Sequence, residues 1–224
     1  MRHLLDSRFG INCSMLRRGK WAILAILLLL LLGAGLLVRE LRMLPYPKPD
    51  MARLEAQAQA FCEAKGVSYP LQQPAVRIEK RARKLILLEQ NKPIAEFPIA
   101  LGGAPEGDKQ REGDRKTPEG DYYVCEKHPS RRFYLFLGLS YPALKDAERG
   151  KQQGQITDAQ YRAIQQAIQS GTCPPWDTPL GGAIGIHGGG IGRDWTLGCI
   201  ALRDDDVELL YMLLPVGTRV TIAP

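Results

Sequence analysis

The stretch Ile184-Gly185-Ile186-His187-Gly188-Gly189-Gly190-Ile191-Gly192-Arg193-Asp194-Trp195-Thr196-Leu197-Gly198-Cys199-Ile200-Ala201-Leu202 decides the reading of this chain. Ile184-Gly185-Ile186 predicts a short buried strand that ends on His187, and Ile200-Ala201-Leu202 predicts a second one leaving Cys199. The glycines at 188–190 and 192 let the backbone turn back between them where a Cβ would resist it. A lone cysteine among Ile, Ala and Leu is ordinarily a small buried hydrophobe, and a lone histidine beside glycines an ordinary turn residue. Brought together across one turn, the two form a nucleophile and its base. A thiol is mostly protonated at neutral pH, and an imidazole is the usual means of activating it. Gly198, just before the cysteine, frees the local backbone amides to face a developing oxyanion. The expectation is a Cys/His acyl-transfer site, with Cys199 reacting faster than an ordinary cysteine near neutral pH because of His187.

Upstream, Gly113-Asp114-Arg115-Lys116-Thr117-Pro118-Glu119-Gly120 holds a Thr-Pro turn flanked by Asp and Gly. Asp114, Thr117 and Gly120 are expected to fix a loop near the site rather than to take part in chemistry. Gly102–Gly113, with Glu106, Asp108, Lys109, Arg111 and Glu112, reads as a solvated loop.

These segments resemble the L,D-transpeptidase catalytic domain of the YkuD type. The resemblance rests on Ile186-His187-Gly188, on Thr196-Leu197-Gly198-Cys199-Ile200 and on the Gly-Asp-x-x-Thr-Pro-x-Gly run at 113–120. Phe133-Tyr134-Leu135 and Leu139-Ser140-Tyr141-Pro142 add to it, and it extends from about Val76 to Ala223. It implies a β-sandwich-type mixed sheet with a few helices, and acyl transfer on peptidoglycan stem peptides through a thioacyl-enzyme. Cys199 would be the nucleophile and His187 the proton carrier, with the Gly198 backbone as oxyanion donor. Gly188, Arg193, Trp195, Thr196 and Arg203 are the residues placed to meet substrate. No cofactor is implied, because thiol, base and backbone dipoles suffice. Two positions depart from the family pattern. Leu197 stands where many members have His, and Ala201 where many have Arg; Arg193 or Arg203 is the candidate replacement. Acceptor handling is where these departures fall. Resolution of the thioester by water, giving an L,D-carboxypeptidase or amidase-type hydrolase, is the alternative, and an anchored wall-binding module without turnover is the second.

The 224 residues carry a net charge of +6. Residues 1–53 contain nine Lys/Arg against three acidic residues, which accounts for all of it. The remainder is balanced, so no nucleic-acid footprint is expected on the domain. Trp21–Val38 is an 18-residue run without a charged side chain, near the lower limit for a helix spanning a bilayer. Arg17, Arg18 and Lys20 precede it, favouring an N-in orientation. The expected organisation is a cytoplasmic segment at 1–20, a transmembrane signal anchor at 21–38, a Pro-rich linker and a stalk or packing helix at 39–75, and the catalytic domain at 76–224. This places the chain in the inner membrane, single-pass, with its domain in the periplasm. In that oxidising compartment Cys62, Cys125 and Cys173 are an odd set, allowing one disulfide with a spare thiol or none. The three histidines show no ligand spacing, so no metal site is expected.

Along the rest of the chain, Met51–Lys65 has helical apolar spacing with Gly66 as its C-cap. Val76–Ile78 and Leu85–Leu88 read as strands, with a turn at Asn91-Lys92. Pro93 and Pro98 mark Ile94–Leu101 as an edge or bulged strand. Asp121–Cys125 and Phe133–Leu139 are further strands, with His128 in a surface turn between them. Ala143–Gly150 reads as a short helix, and Ile156–Ser170 as a longer one with a Thr157/Gln160 capping box. This helical insertion is placed to wall the substrate cleft. Asp204–Asp206 cap a helix over Val207–Leu214, and Thr218–Ile222 closes the sheet.

Overall fold

In the computed structural model, residues 46–224 are described. The 1–20 segment, the Trp21–Val38 anchor and the start of the 39–75 linker lie outside them. Among the described residues no helix is long and apolar enough to cross a membrane.

Helix α1 (Met51–Lys65) begins where Asp50 accepts from the Arg53 amide and ends at Gly66, whose φ of 66° a residue with a side chain would adopt at a cost. It packs on the domain rather than standing off as a stalk. Leu54, Ala58 and Cys62, one stripe at i, i+4 and i+8, are fully buried. Arg53 also reaches Glu208 at 2.5 Å.

The strands are β1 (Pro74–Glu79), β2 (Lys84–Glu89), β3 (Lys92–Pro98), β4 (Gly120–Ser130), β5 (Tyr134–Leu139), β6 (Gly185–His187), β7 (Ile200–Ala201) and β8 (Arg219–Ala223). They form one mixed sheet in the order β3-β2-β1-β8-β4-β5-β6-β7. Only β1/β8 and β6/β7 are parallel. β8, the strand expected at Thr218–Ile222, is inserted between β1 and β4, with Val220 and Ile222 buried. β3 is the edge strand that its prolines require, and the register slips where Pro93 meets Leu88.

The long strand β4 makes the sheet fold on itself. Its first residues pair with β8 and the later ones with β5, with a register shift between Val124 and Glu126. His128 lies inside this strand rather than in a turn, and is exposed beside Glu126 at 3.2 Å. The residues after β3 then reach the opposite end of the sheet. Ala100 and Ala201 exchange backbone hydrogen bonds of 2.9 and 2.8 Å, and Gly102 bridges to Thr196. The core inside this fold runs from Leu85 and Leu87 through Leu135 and Leu137 to Ile186 and Ile200.

Helices α2 (Leu144–Gln152) and α3 (Asp158–Gln169) have a small core of their own, Ala147, Ile156, Ile164 and Leu180. The Thr157/Gln160 capping box is present. A Cys125–Cys173 disulfide ties the segment after α3 to β4 across 48 residues. Closing a loop of that size stabilises the fold by about 4 kcal/mol in the chain-entropy account. Cys62 remains a buried free thiol. Helix α4 (Asp204–Leu213) follows β7. Its acidic first turn suits the helix dipole, but Arg203 occupies the cap position without a side-chain cap bond. Asp204 is engaged elsewhere.

Candidate active site

The register of β6 on β7 brings the two sequence candidates together. Ile186 lies opposite Ile200, so Cys199 lies opposite Gly185 and His187 opposite Ala201. Side chains alternate along a strand, so His187 and Cys199 share the face that the two buried isoleucines do not. They are diagonal neighbours, within reach of an aromatic side chain.

His187 is 1% exposed. Its ring stacks on Phe133 at 4.4 Å between centroids and meets Trp195 edge-on at 5.6 Å. Nδ1 lies 2.6 Å from the Gly188 carbonyl oxygen. A carbonyl can only accept, so Nδ1 carries the proton and Nε2 is left as the basic nitrogen. Burial pushes the imidazole pKa down to about 4, and the hydrogen bond to Gly188 only partly opposes this. Gly188 itself is closed in: its amide donates to Phe133 O, and an added Cβ would lie 2.5 Å from Asp204 Oδ1. That carboxylate accepts from the Gly189 amide at 2.8 Å, so Asp204 fixes the glycine turn instead of capping its helix.

Cys199 is partly accessible at the residue level, but its sulfur is closely surrounded by protein. Burial pushes the thiol up to about 11, against the lowering effects of the Gly185 amide and the Lys109 ammonium. Burial thus disfavours the charged form of both thiol and imidazole, which works against the expected activation of Cys199 by His187. The thiol donates to Ala183 O at 3.4 Å, not to His187. Ala183 holds a φ of 50°, a conformation that costs an alanine about 1 kcal/mol.

Thr196 holds the loop that carries the thiol. Its Oγ1 donates to Cys199 O at 2.7 Å and accepts from the Gly198 amide at 3.1 Å. The Gly198 amide is thus already engaged, and the amide without a partner among the described residues is that of Cys199. Gly198 is needed for another reason: its φ is 140°, and a Cβ there would lie 2.7 Å from Lys116 O.

Of the residues expected to meet substrate, Gly188 and Thr196 are buried and bond to the candidate pair, Gly188 O to His187 and Thr196 Oγ1 to Cys199 O. Trp195 is half-buried, with its indole N–H on Gly190 O at 3.0 Å. Arg193 and Arg203 are exposed; Arg203 stands 3.9 Å from Asp206, and Arg193 has no ion-pair partner among the described residues. Leu197 is 71% exposed in the residues just before Cys199, whereas Ala201 is fully buried.

In the Gly113–Gly120 run, Asp114 and Thr117 bind the backbone around them. Asp114 accepts from Lys109 Nζ and from the amides of Gln110, Arg111 and Lys116. Burial alone would raise its pKa, but these donors hold it below the usual carboxylate range. Thr117 Oγ1 accepts from the Gly102 amide at 3.0 Å. The preceding loop is not simply solvated. Lys109 is 2% exposed, inside a fold of its own loop, with its charge acting on the thiol. Lys109, Phe133 and Ala183 were not legible as site residues: a lysine in a charged loop and a phenylalanine in a strand carry no local mark of where they pack.

With this geometry in place, the family match is decisive: the YkuD L,D-transpeptidase catalytic domain matches residues 73–222. The chain belongs to this family. No curated protein matches it. Among solved structures it is similar to Bd1075 of Bdellovibrio bacteriovorus, at 21% identity and a TM-score of 0.45, covering 70% of this chain and 49% of that one. It is also similar to an L,D-transpeptidase from Mycobacterium smegmatis (11%, TM-score 0.42, 68% and 59% covered). The helical cell shape determining protein Pgp2 from Campylobacter jejuni is a third (22%, TM-score 0.44, 75% and 55%). The chain spans about half the length of these proteins, and at such scores they add nothing to the family match. As in the sequence reading, this L,D-transpeptidase domain departs from the common pattern at Leu197 and Ala201, one a surface position and the other a core position.

Proposed function

We propose that this chain is a cysteine-dependent L,D-transpeptidase acting on peptidoglycan stem peptides. The observation that carries the reading is His187: buried, held in one tautomer by Gly188, with Nε2 free on the strand face it shares with Cys199. The thiol leaves Ala183 O and attacks the carbonyl of the third-position residue as its proton passes to His187 Nε2. The S–C bond forms while the S–H bond breaks, and the oxyanion meets the Cys199 amide. Collapse expels the terminal D-amino acid, which takes the proton from His187 and leaves a thioester. An acceptor amine then attacks the thioester and gives its proton to His187; the C–N bond forms as the C–S bond breaks, and His187 passes the proton to the departing Cys199 sulfur, restoring thiol and neutral imidazole. Because burial disfavours charge on both groups, charge develops along the reaction coordinate, where the oxyanion balances the imidazolium.

The uncharged Trp21–Val38 run and the cations before it support a second part of the proposal: an inner-membrane anchor with the domain in the periplasm. A mature N-terminus between Ala34 and Leu44 would show cleavage and remove the anchor.

The test is incubation of the full-length chain with defined muropeptides, followed by mass spectrometry. Cross-linked dimers are expected from wild type, with Cys199→Ala and His187→Ala each reduced by about a thousandfold or more. Shortened monomers alone would make the enzyme a hydrolase. Turnover retained in Cys199→Ala would end the nucleophile assignment.

A further inference from the structure

Arg83 lies 111 residues before Asp194 in sequence, in the turn between β1 and β2, and its guanidinium grips that carboxylate from two nitrogens. Nε donates to Oδ2 at 3.0 Å and Nη2 to Oδ2 at 2.7 Å, with Oδ1 3.2 Å from Nε. Arg83 adopts a φ of 51°, which costs a residue with a side chain about 1 kcal/mol. A half-exposed ion pair of this kind contributes about 1 kcal/mol at most. Stability by itself therefore gives no account of why an arginine is held this way.

What the pair touches does give one. Asp194 Oδ1 also accepts from the Leu101 amide at 2.9 Å. Leu101 O in turn accepts from the amides of both Trp195 and Thr196, at 3.1 and 3.2 Å, and Gly103 N donates to Thr196 O at 3.0 Å. The Arg83 carbonyl accepts from Ile99 at 3.0 Å, so the same residue holds both sides of the junction. From there one branch runs through the Trp195 ring to His187, and the other through Thr196 Oγ1 to Cys199 O.

We propose that Arg83 and Asp194 form a positioning pair that fixes Trp195 and Thr196 against the 99–103 segment and so sets His187 and Cys199 jointly. This rests on the transpeptidase reading of the site. The ion pair touches neither catalytic side chain, and its effect should appear in turnover more than in substrate binding.

The test compares Asp194→Asn, Arg83→Met and Arg83→Lys in the full-length chain, by kcat and KM on muropeptides and by the His187 imidazole proton resonances. Those resonances sense the ring currents of Phe133 and Trp195. Expected is a fall in kcat of about ten- to a hundredfold in Asp194→Asn and Arg83→Met, with KM within about threefold of wild type. The His187 resonances should move, and Arg83→Lys should lie between Arg83→Met and wild type in both readouts. Lower melting temperatures with unchanged kcat and unmoved His187 resonances would reduce the pair to a structural tie and overturn the proposal. Should wild type show no muropeptide turnover, the functional reading fails, while the resonances still decide the positioning role. If Asp194→Asn does not fold, the two Arg83 variants carry the same comparison.

Discussion

His187 ends β6 and Cys199 immediately precedes its parallel neighbour β7, yet the molecule holds them in different ways. The histidine is fixed by its side chain: one ring stacked against it, another at its edge, and a carbonyl on Nδ1. The cysteine is fixed by its backbone: Thr196 holds its carbonyl and the neighbouring amide, while the thiol rests on the carbonyl of a strained alanine. The difference suits the two roles proposed for them: a base is best held in one tautomer and orientation before substrate arrives, whereas a nucleophile must swing from a resting partner to the carbonyl it attacks.

The comparison can be broken most severely at the backbone of the cysteine side. Gly198→Ala places a Cβ 2.7 Å from Lys116 O at a φ of 140°. It should cost about 3 kcal/mol or more in urea unfolding, from overpacking and backbone strain together. Full stability in this variant would mean that the loop can relax and that Cys199 is not held as described.

On the histidine side the probe is pH. The folded value for His187, pushed down to about 4, lies below the ordinary 6.5, so protonation favours the unfolded chain. The stability linked to this group is fully present above pH 6.5 and is lost as pH falls from there to about 4, by up to about 3 kcal/mol. Replacing His187 by Gln should remove that part of the acid slope in a series of urea melts. Equal slopes in the two proteins would show that the imidazole titrates as if exposed.

The smallest expected effect is an absence. With charge on the thiol disfavoured by burial, iodoacetamide labelling of Cys199 should rise only in the alkaline range. His187→Ala should change the rate below pH 9 by less than about twofold, because no thiolate is being stabilised. A labelling plateau near neutral pH, lost in His187→Ala, would restore an ion pair and move His187 from base to counter-ion.

Much of this was readable from local signals. Gly66 marks the end of α1, Thr157 and Gln160 the start of α3, and Pro93 and Pro98 an edge strand, because caps and prolines act through neighbours in sequence. The Cys/His candidates were readable for a similar reason, since they flank a single glycine-rich loop of the chain. Asp204–Asp206 shows where such reading stops. Three acids at a helix start read as caps, yet one of them binds Gly189, a partner 15 residues away that only folding supplies.

The sequence by itself determined the family, the nucleophile and base candidates, the Thr-Pro scaffold and most element boundaries, since each is written in residues that are close along the chain. Tertiary structure alone decided that β8 is central, that Cys125 pairs with Cys173, that Arg83 reaches Asp194, and that burial disfavours charge on both thiol and imidazole. Pairing over long sequence distances and the removal of water from a group depend on which surfaces meet, and no local pattern encodes that.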